Sequence, residues 1–197
     1  MKKIVLLGDS IRLSYQDRVR ELLSDVAEVL WPDANCAYTL NTVWNIRFWF
    51  KDWGPVDLIH WNNGIWDHHR TLDDGEPLST PKEYLYLNRR LYQQLKRYTS
   101  NLIWATTTPA GLGYKQEKGG LCSLPRDEWN REIKLYNDLL SAFLTGQGVA
   151  IDDLHGLVAG HIGDYVSEDG IHLTPAGVEA AAEQVAGCIK AGLGLTP

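Results

Sequence analysis

Short apolar runs alternate with longer amphipathic stretches along this chain. Ile4–Leu7 is a run of β-branched and Leu residues closed by Gly8, the pattern of a strand buried on both faces. Residues 12–24 space Leu13, Val19, Leu22 and Leu23 among Arg, Gln, Asp and Glu, which predicts a helix. Ala27–Trp31, stopped by Pro32, predicts a second strand, and residues 40–50 a helix crowded by β-branched and aromatic side chains. Further strands are expected at Val56–Trp61, at Leu102–Thr107 before Pro109, and at Val149–Ile151. Helices are expected at Pro81–Tyr98, Arg126–Leu144 and Pro175–Ala191, the last opened by a Thr174 cap with Pro175 at its first position. Residues 110–125 hold Gly111, Gly113, Gly119, Gly120 and Pro125 and read as a long loop.

This rhythm of strand and helix predicts a parallel sheet covered by helices on both faces. No repeat or linker interrupts it, so residues 1–197 are expected to form one doubly wound α/β domain. Ligands of such sheets bind beyond the carboxyl ends of the strands, and the residues just after each strand become the candidates for chemistry.

Composition narrows the class. With 44% hydrophobic and 22% charged residues, the chain is neither disordered, collagenous nor coiled-coil. Nineteen Lys and Arg against 25 Asp and Glu give a net charge of −6, and no basic stripe stands out. Duplex nucleic acid and anionic membranes are therefore poor partners. Eight Trp and nine Tyr against three Phe suit cores near a wet cleft, or sugar-binding walls, although most of the Trp are expected simply to pack. Cys36, Cys122 and Cys188 lie far apart without a CxxC spacing, which predicts free thiols in a reducing compartment. Met1–Leu7 imitates the start of a signal peptide, but its apolar run falls short of the roughly 7–15 residues needed. The expected location is cytoplasmic.

Two segments carry candidate chemistry. The first strand runs directly into Gly8-Asp9-Ser10 before a helix begins. A Ser at a helix N-terminus lies where backbone N–H groups favour negative charge, a setting for a nucleophile and for the oxyanion its attack creates. Alternatively, Asp9 and Ser10 only cap the helix. Near the other end, Ser167-Glu168-Asp169-Gly170-Ile171-His172-Leu173-Thr174-Pro175 puts an Asp three residues before a His. A carboxylate at that spacing can orient an imidazole so that its other nitrogen takes a proton from a hydroxyl.

Together, GDS after the first strand and DGIHLTPAG before the last helix resemble the SGNH (GDSL) hydrolase family. The two blocks lie at the two ends of the chain in the family's order. The resemblance implies a flavodoxin-like, three-layer α/β/α fold on a five-stranded parallel sheet. It also implies Ser10 as nucleophile, His172 as general base and Asp169 as the residue that orients His172. The implied activity is a serine esterase without a cofactor, removing small acyl groups, acetyl above all, from a small-molecule ester such as an acylated sugar. A lysophospholipase or thioesterase for longer chains, and an inactive ligand-binding member of the fold, are the alternatives.

The middle blocks depart from the family pattern. Its members carry a Gly after strand two whose N–H joins the oxyanion hole; Pro32–Thr39 contains none, so the backbone N–H of Cys36 or a neighbour is the candidate. A reactive Cys36 thiol is the weaker reading, because no basic residue stands near it in sequence. After strand three the family carries Gly-x-Asn-Asp, where this chain has His60-Trp61-Asn62-Asn63-Gly64-Ile65-Trp66-Asp67. Carboxamide chemistry favours Asn62 as the oxyanion donor, with Asn63 in place of the Asp. Strand length favours the register Gly64–Asp67, with Trp66 in the donor position. Thr106-Thr107-Thr108-Pro109 fits a bacterial branch of the family. His60, Asp67, His68 and His69 lack a metal-site spacing, and no metal is expected. His155 and His161 are expected at the surface, and Tyr114 at the rim of the cleft.

Overall fold

The apolar runs become five strands of one parallel sheet: β1 (Lys2–Leu7), β2 (Ala27–Leu30), β3 (Leu58–Trp61), β4 (Leu102–Ala105) and β5 (Ala150–Asp152). Their order in space is β2-β1-β3-β4-β5, and every neighbouring pair is parallel. The computed structural model describes residues 1–70, 74–117 and 122–195; Gly119 and Gly120 of the expected loop lie outside the described residues. The helices are α1 (Ser10–Leu22), α2 (Thr39–Trp53), α3 (Ile65–His68), α4 (Pro81–Leu95), α5 (Arg126–Thr145), α6 (Leu154–Gly160), α7 (Ile162–Tyr165) and α8 (Pro175–Gly192). No helix among the described residues is long and apolar enough to cross a membrane.

Alternate residues of each central strand serve opposite layers, as the pleat requires. Ile4, Leu6, Leu58 and Ile103 pack with Tyr15 and Val19 of α1 and Val185 and Ile189 of α8. Val5, Leu7, Ile59, Trp61 and Trp104 pack with Ile46 and Phe50 of α2, Leu91 and Leu95 of α4, and Leu140 of α5. This is the expected three-layer α/β/α architecture. Trp61, Trp104 and Trp129 are fully buried, as expected of packing residues.

Element ends move for local reasons. α1 starts at Ser10 rather than residue 12 because the Asp9 side chain accepts from the Ile11 N–H at 3.0 Å and caps it. β4 stops at Ala105, short of the expected Thr107, because the Thr107 N–H turns away to the Asn137 side chain at 2.8 Å. α8 begins as expected, with the Thr174 hydroxyl accepting from the Gly177 N–H. The short helices α3, α6 and α7 are too brief to show a period in sequence. Tyr114 is not at a rim: it is buried, and its hydroxyl donates to the Leu124 carbonyl. His155 is half-buried, with Nδ1 2.8 Å from the Thr107 carbonyl, whereas His161 is exposed as expected.

The turn after β3 is tight. A Cβ at Gly64 would overlap Oγ1 and crowd Cβ of Thr107, two residues beyond β4. Thr is branched at Cβ and cannot swing clear without moving backbone. Gly64→Ala should therefore destabilise the fold by about 1–3 kcal/mol, the usual cost of overpacking. Chemical denaturation checks this, and an unchanged midpoint would show that the turn has room to give.

Candidate active site

Ser10 is the first residue of α1, directly beyond the carboxyl end of β1. The segment that faces it, residues 166–173, is pinned by an antiparallel bridge between Val166 and Leu173 and by a Ser167 N–H that donates to the His172 carbonyl at 2.8 Å. At Gly170 φ is +77°, and a Cβ there would overlap the Tyr114 backbone. Only glycine fits both the conformation and the space.

Within this turn Asp169 gathers donors. Its Oδ1 accepts from the Ser167 hydroxyl (2.9 Å), the Ile171 N–H (2.8 Å) and the His172 N–H (2.9 Å). Its Oδ2 lies 2.7 Å from His172 Nδ1, and His172 Nε2 lies 3.0 Å from Ser10 Oγ. Partial burial pushes the Asp169 carboxyl up, but the Ile171 N–H, the His172 ring and N–H, and the Ser167 hydroxyl outweigh it. The group is held well below the usual carboxylate range. An ionised carboxylate only accepts, so Nδ1 carries the proton that faces it. A neutral ring then turns its Nε2 lone pair to the Ser10 hydroxyl.

Asp9 flanks this arrangement. It is almost fully buried, and its Oδ2 has no partner among the described residues. Burial pushes its carboxyl from the ordinary 3.8 up to about 6, against the pull of the Ile11 N–H and of the Arg12 charge.

The three oxyanion candidates fare differently. The Cys36 backbone N–H donates to the Gly8 carbonyl at 3.1 Å, so the expectation that it faces an oxyanion is corrected. The Cys36 side chain is fully buried, and burial raises its thiol, consistent with packing. The Asn62 amide donates to the Ala105 carbonyl at 2.8 Å, across the ends of β3 and β4, and its nitrogen lies 3.5 Å from the Thr107 hydroxyl, which weighs against Asn62 as a donor to an oxyanion. Asn63 is likewise occupied, donating to the Ala37 carbonyl and the Thr42 hydroxyl. Trp66 remains half-buried, and its indole N–H has no partner among the described residues. Its ring contacts His69, His69 contacts Trp129 and Trp129 contacts Tyr114, the residue beneath Gly170. This run of rings links Trp66 to the loop that backs Gly170.

Asp67 closes the segment Gly64–Asp67. Fully buried, it accepts from the Thr39 N–H and hydroxyl, both at 2.9 Å, and from the Ser79 hydroxyl at 3.0 Å. It thereby anchors the first residue of α2. His60 and His68 face carboxylates of their own, Asp152 and Glu132, in different directions. Among the described residues no three His, Cys, Asp or Glu gather as metal ligands.

Two features escaped the sequence reading. Arg12 is buried and ties the loop after β2 to β1, donating to the Gly8, Pro32 and Ala34 carbonyls. Ala37 has φ 50°, the left-handed turn usually given to glycine, and its N–H is held by the Asn35 side chain at 2.7 Å. That turn leads into α2, where the Leu40 and Asn41 N–H groups have no partner among the described residues. The Asn two residues before Ala37 was the available signal.

No family model matches the sequence, and no curated protein matches it. Solved structures do. The acetylxylan esterase Axe2 from Geobacillus stearothermophilus is similar at TM-score 0.75 and 15% identity over 99% of this chain and 95% of its own. The acetyl xylan esterase AlAXEase gives 0.73 and 16% over 95% and 99%. A lipase/acylhydrolase from Enterococcus faecalis gives 0.74 and 18% over 97% and 96%. The fold is the SGNH-hydrolase fold. At these identities the likeness is one of architecture, and it covers the whole sheet and both helical layers.

In this SGNH-hydrolase fold Asp9 makes stability depend on pH. Between pH 3.8 and about 6 the folded chain binds more protons at Asp9 than the unfolded chain. Its contribution therefore favours folding at the acid end and is lost as pH rises through about 6. Asp9→Asn keeps the cap acceptor and removes the charge. It should be more stable than wild type at pH 8, by about 3 kcal/mol at most, with the difference closing towards pH 4. Denaturation curves at the two pH values check this; a difference independent of pH would clear Asp9 of the effect.

Proposed function

We propose that this chain is a serine ester hydrolase with Ser10 as nucleophile, His172 as general base and Asp169 as its orienting carboxylate. The observation that carries the reading is the continuous relay from Asp169 through His172 to Ser10, at 2.7 and 3.0 Å. Ser10 Oγ attacks the ester carbonyl while Nε2 of His172 takes its proton, giving a tetrahedral oxyanion. Collapse breaks the bond to the alcohol, and His172 returns the proton to that leaving oxygen. Water, deprotonated by the same nitrogen, then attacks the acyl-enzyme and releases the carboxylic acid with Ser10 restored. The oxyanion is met by backbone N–H groups of Ser10 and Leu40, each in the first turn of a helix, and by the Trp66 indole N–H.

The substrate proposed is a small acyl ester, acetyl above all, on a carbohydrate or related metabolite. Half-exposed His172 and Asp169 side chains leave room for a bulky alcohol portion. Two structural neighbours are named as acetyl xylan esterases. A second reading rests on a cavity of about 300 Å³ beside the start of α2, lined by Tyr38, Leu40, Leu78, Tyr86 and Leu87, which suits a longer acyl chain. Rates across p-nitrophenyl esters from acetate to octanoate separate the two: a fall with chain length favours the first, a rise the second.

Ser10→Ala should abolish hydrolysis of p-nitrophenyl acetate, by a factor on the order of 10⁶ as for a lost triad nucleophile, in a protein that still folds. Near-normal turnover would remove Ser10 from the mechanism.

The oxyanion donors make a second test. Trp66→Phe keeps a ring and removes the N–H, so kcat should fall by roughly 10²–10³ with little change in KM. Asn62→Ala, which removes a strand-end hydrogen bond instead, should cost about 1 kcal/mol of stability and leave kcat within a few-fold. The opposite pattern would restore Asn62 to the hole.

A further inference from the structure

Folding gathers charge that the linear sequence keeps apart. α2 together with residues 81–97 carries seven of the 19 Lys and Arg and only two of the 25 Asp and Glu. Three of the seven, Arg47, Arg90 and Arg97, line one groove of a chain whose net charge is −6. Between α2 and α4 runs a groove of about 300 Å³, lined among others by Leu40, Trp44, Arg47, Arg90, Gln94 and Arg97.

None of these three arginines pairs with a carboxylate among the described residues. The Arg47 guanidinium lies over the rings of Trp44 and Phe48 instead, 4.6 Å from each centroid, and Arg90 lies 5.8 Å from the centroid of Tyr86. A guanidinium resting on an aromatic face keeps its N–H edge free and loses little freedom when an oxyanion arrives. Gln94 adds a buried amide oxygen without a partner among the described residues. With that oxygen turned inwards, the amide N–H₂ is the part of Gln94 left for a ligand.

We infer that this groove binds a phosphate monoester carried on a hydroxylated ring. Three unpaired guanidinium groups favour a dianion over a monocarboxylate, and tetrahedral phosphate accepts forks from more than one arginine at once. The Gln94 amide N–H₂, on a side chain that lines the groove, donates to a ring hydroxyl. Trp44, 62% exposed, and Leu40 supply apolar wall. The volume lies at the low end of the small-molecule range, which suits one ring and its phosphate. The binding requires no turnover and so stands apart from the proposed hydrolysis.

Calorimetric titration of the full chain with glucose 6-phosphate, inorganic phosphate, glucuronate and glucose tests this. Glucose 6-phosphate should bind tightest, inorganic phosphate and glucuronate more weakly, and glucose not at all. Arg47→Ala and Arg90→Ala, both exposed positions, should each weaken glucose 6-phosphate about tenfold or more while circular dichroism stays unchanged. Gln94→Leu should narrow the gap between glucose 6-phosphate and inorganic phosphate. The inference is overturned if no anion binds saturably, if glucuronate binds as tightly as the phosphate ester, or if the arginine variants bind like wild type.

Discussion

The carbonyl of Gly8 is where three segments are locked together. It accepts from the Cys36 N–H at 3.1 Å and from Arg12 at 3.3 Å, joining the end of β1, the first turn of α1 and the loop after β2. A buried guanidinium is costly unless its donors are met, and here carbonyls of that loop, with the Gln16 amide, meet both terminal nitrogens, while Nε has no partner among the described residues. Gly8 has to be glycine, because a Cβ would press on the Arg12 side chain. The loop that Arg12 fixes leads straight into α2, so one buried cation aligns the starts of both helices that flank the site.

Asp67 supplies the opposing strut. Its carboxylate takes the Thr39 N–H at the first residue of α2 and the Ser79 hydroxyl before α4. Burial pushes it up to about 6, as it does Asp9, despite the three donors. At neutral pH both groups are held ionised in surroundings that resist charge. Perturbed acids of this kind gather at functional sites, and structural networks hold them too. The cost is accepted because acceptors of full negative charge hold backbone N–H groups more firmly than neutral ones.

What the sequence made legible follows from the range of each interaction. The five strands and the long helices were readable because burial on two faces or one imposes its own period. Asp169 and His172 were readable because their contact closes within three residues, and Ser10 because it follows a strand directly. The oxyanion side was not readable, since whether a backbone N–H or an amide is free depends on a distant partner. Cys36 is taken by Gly8, 28 positions before it in the numbering, and Asn62 by Ala105 on the neighbouring strand. Carboxamide chemistry pointed to Asn62, and sheet geometry had already used that carboxamide. The meeting of Arg47 with Arg90 and Arg97 along one groove was hidden in the same way, split between α2 and the stretch from α4 to residue 97, with β3 and α3 between.

The relay itself presents a puzzle, since its members stand half in water. Side chains of His172 and Asp169 are 50% and 53% exposed, where solvent competes with any single hydrogen bond. Order here cannot come from exclusion of water. It comes from the backbone: the turn aims two N–H groups and the Ser167 hydroxyl at one carboxylate oxygen, leaving the other for the imidazole. Those donors hold Asp169 ionised, and an ionised Asp169 fixes which nitrogen of His172 bears the proton. The turn keeps its shape because Gly170 adopts φ +77° against the Tyr114 backbone, and the Gly111 N–H donates to the Gly170 carbonyl at 2.8 Å. The loop after β4 thus acts on the Ser10 hydroxyl without touching it, by holding the turn that holds the carboxylate.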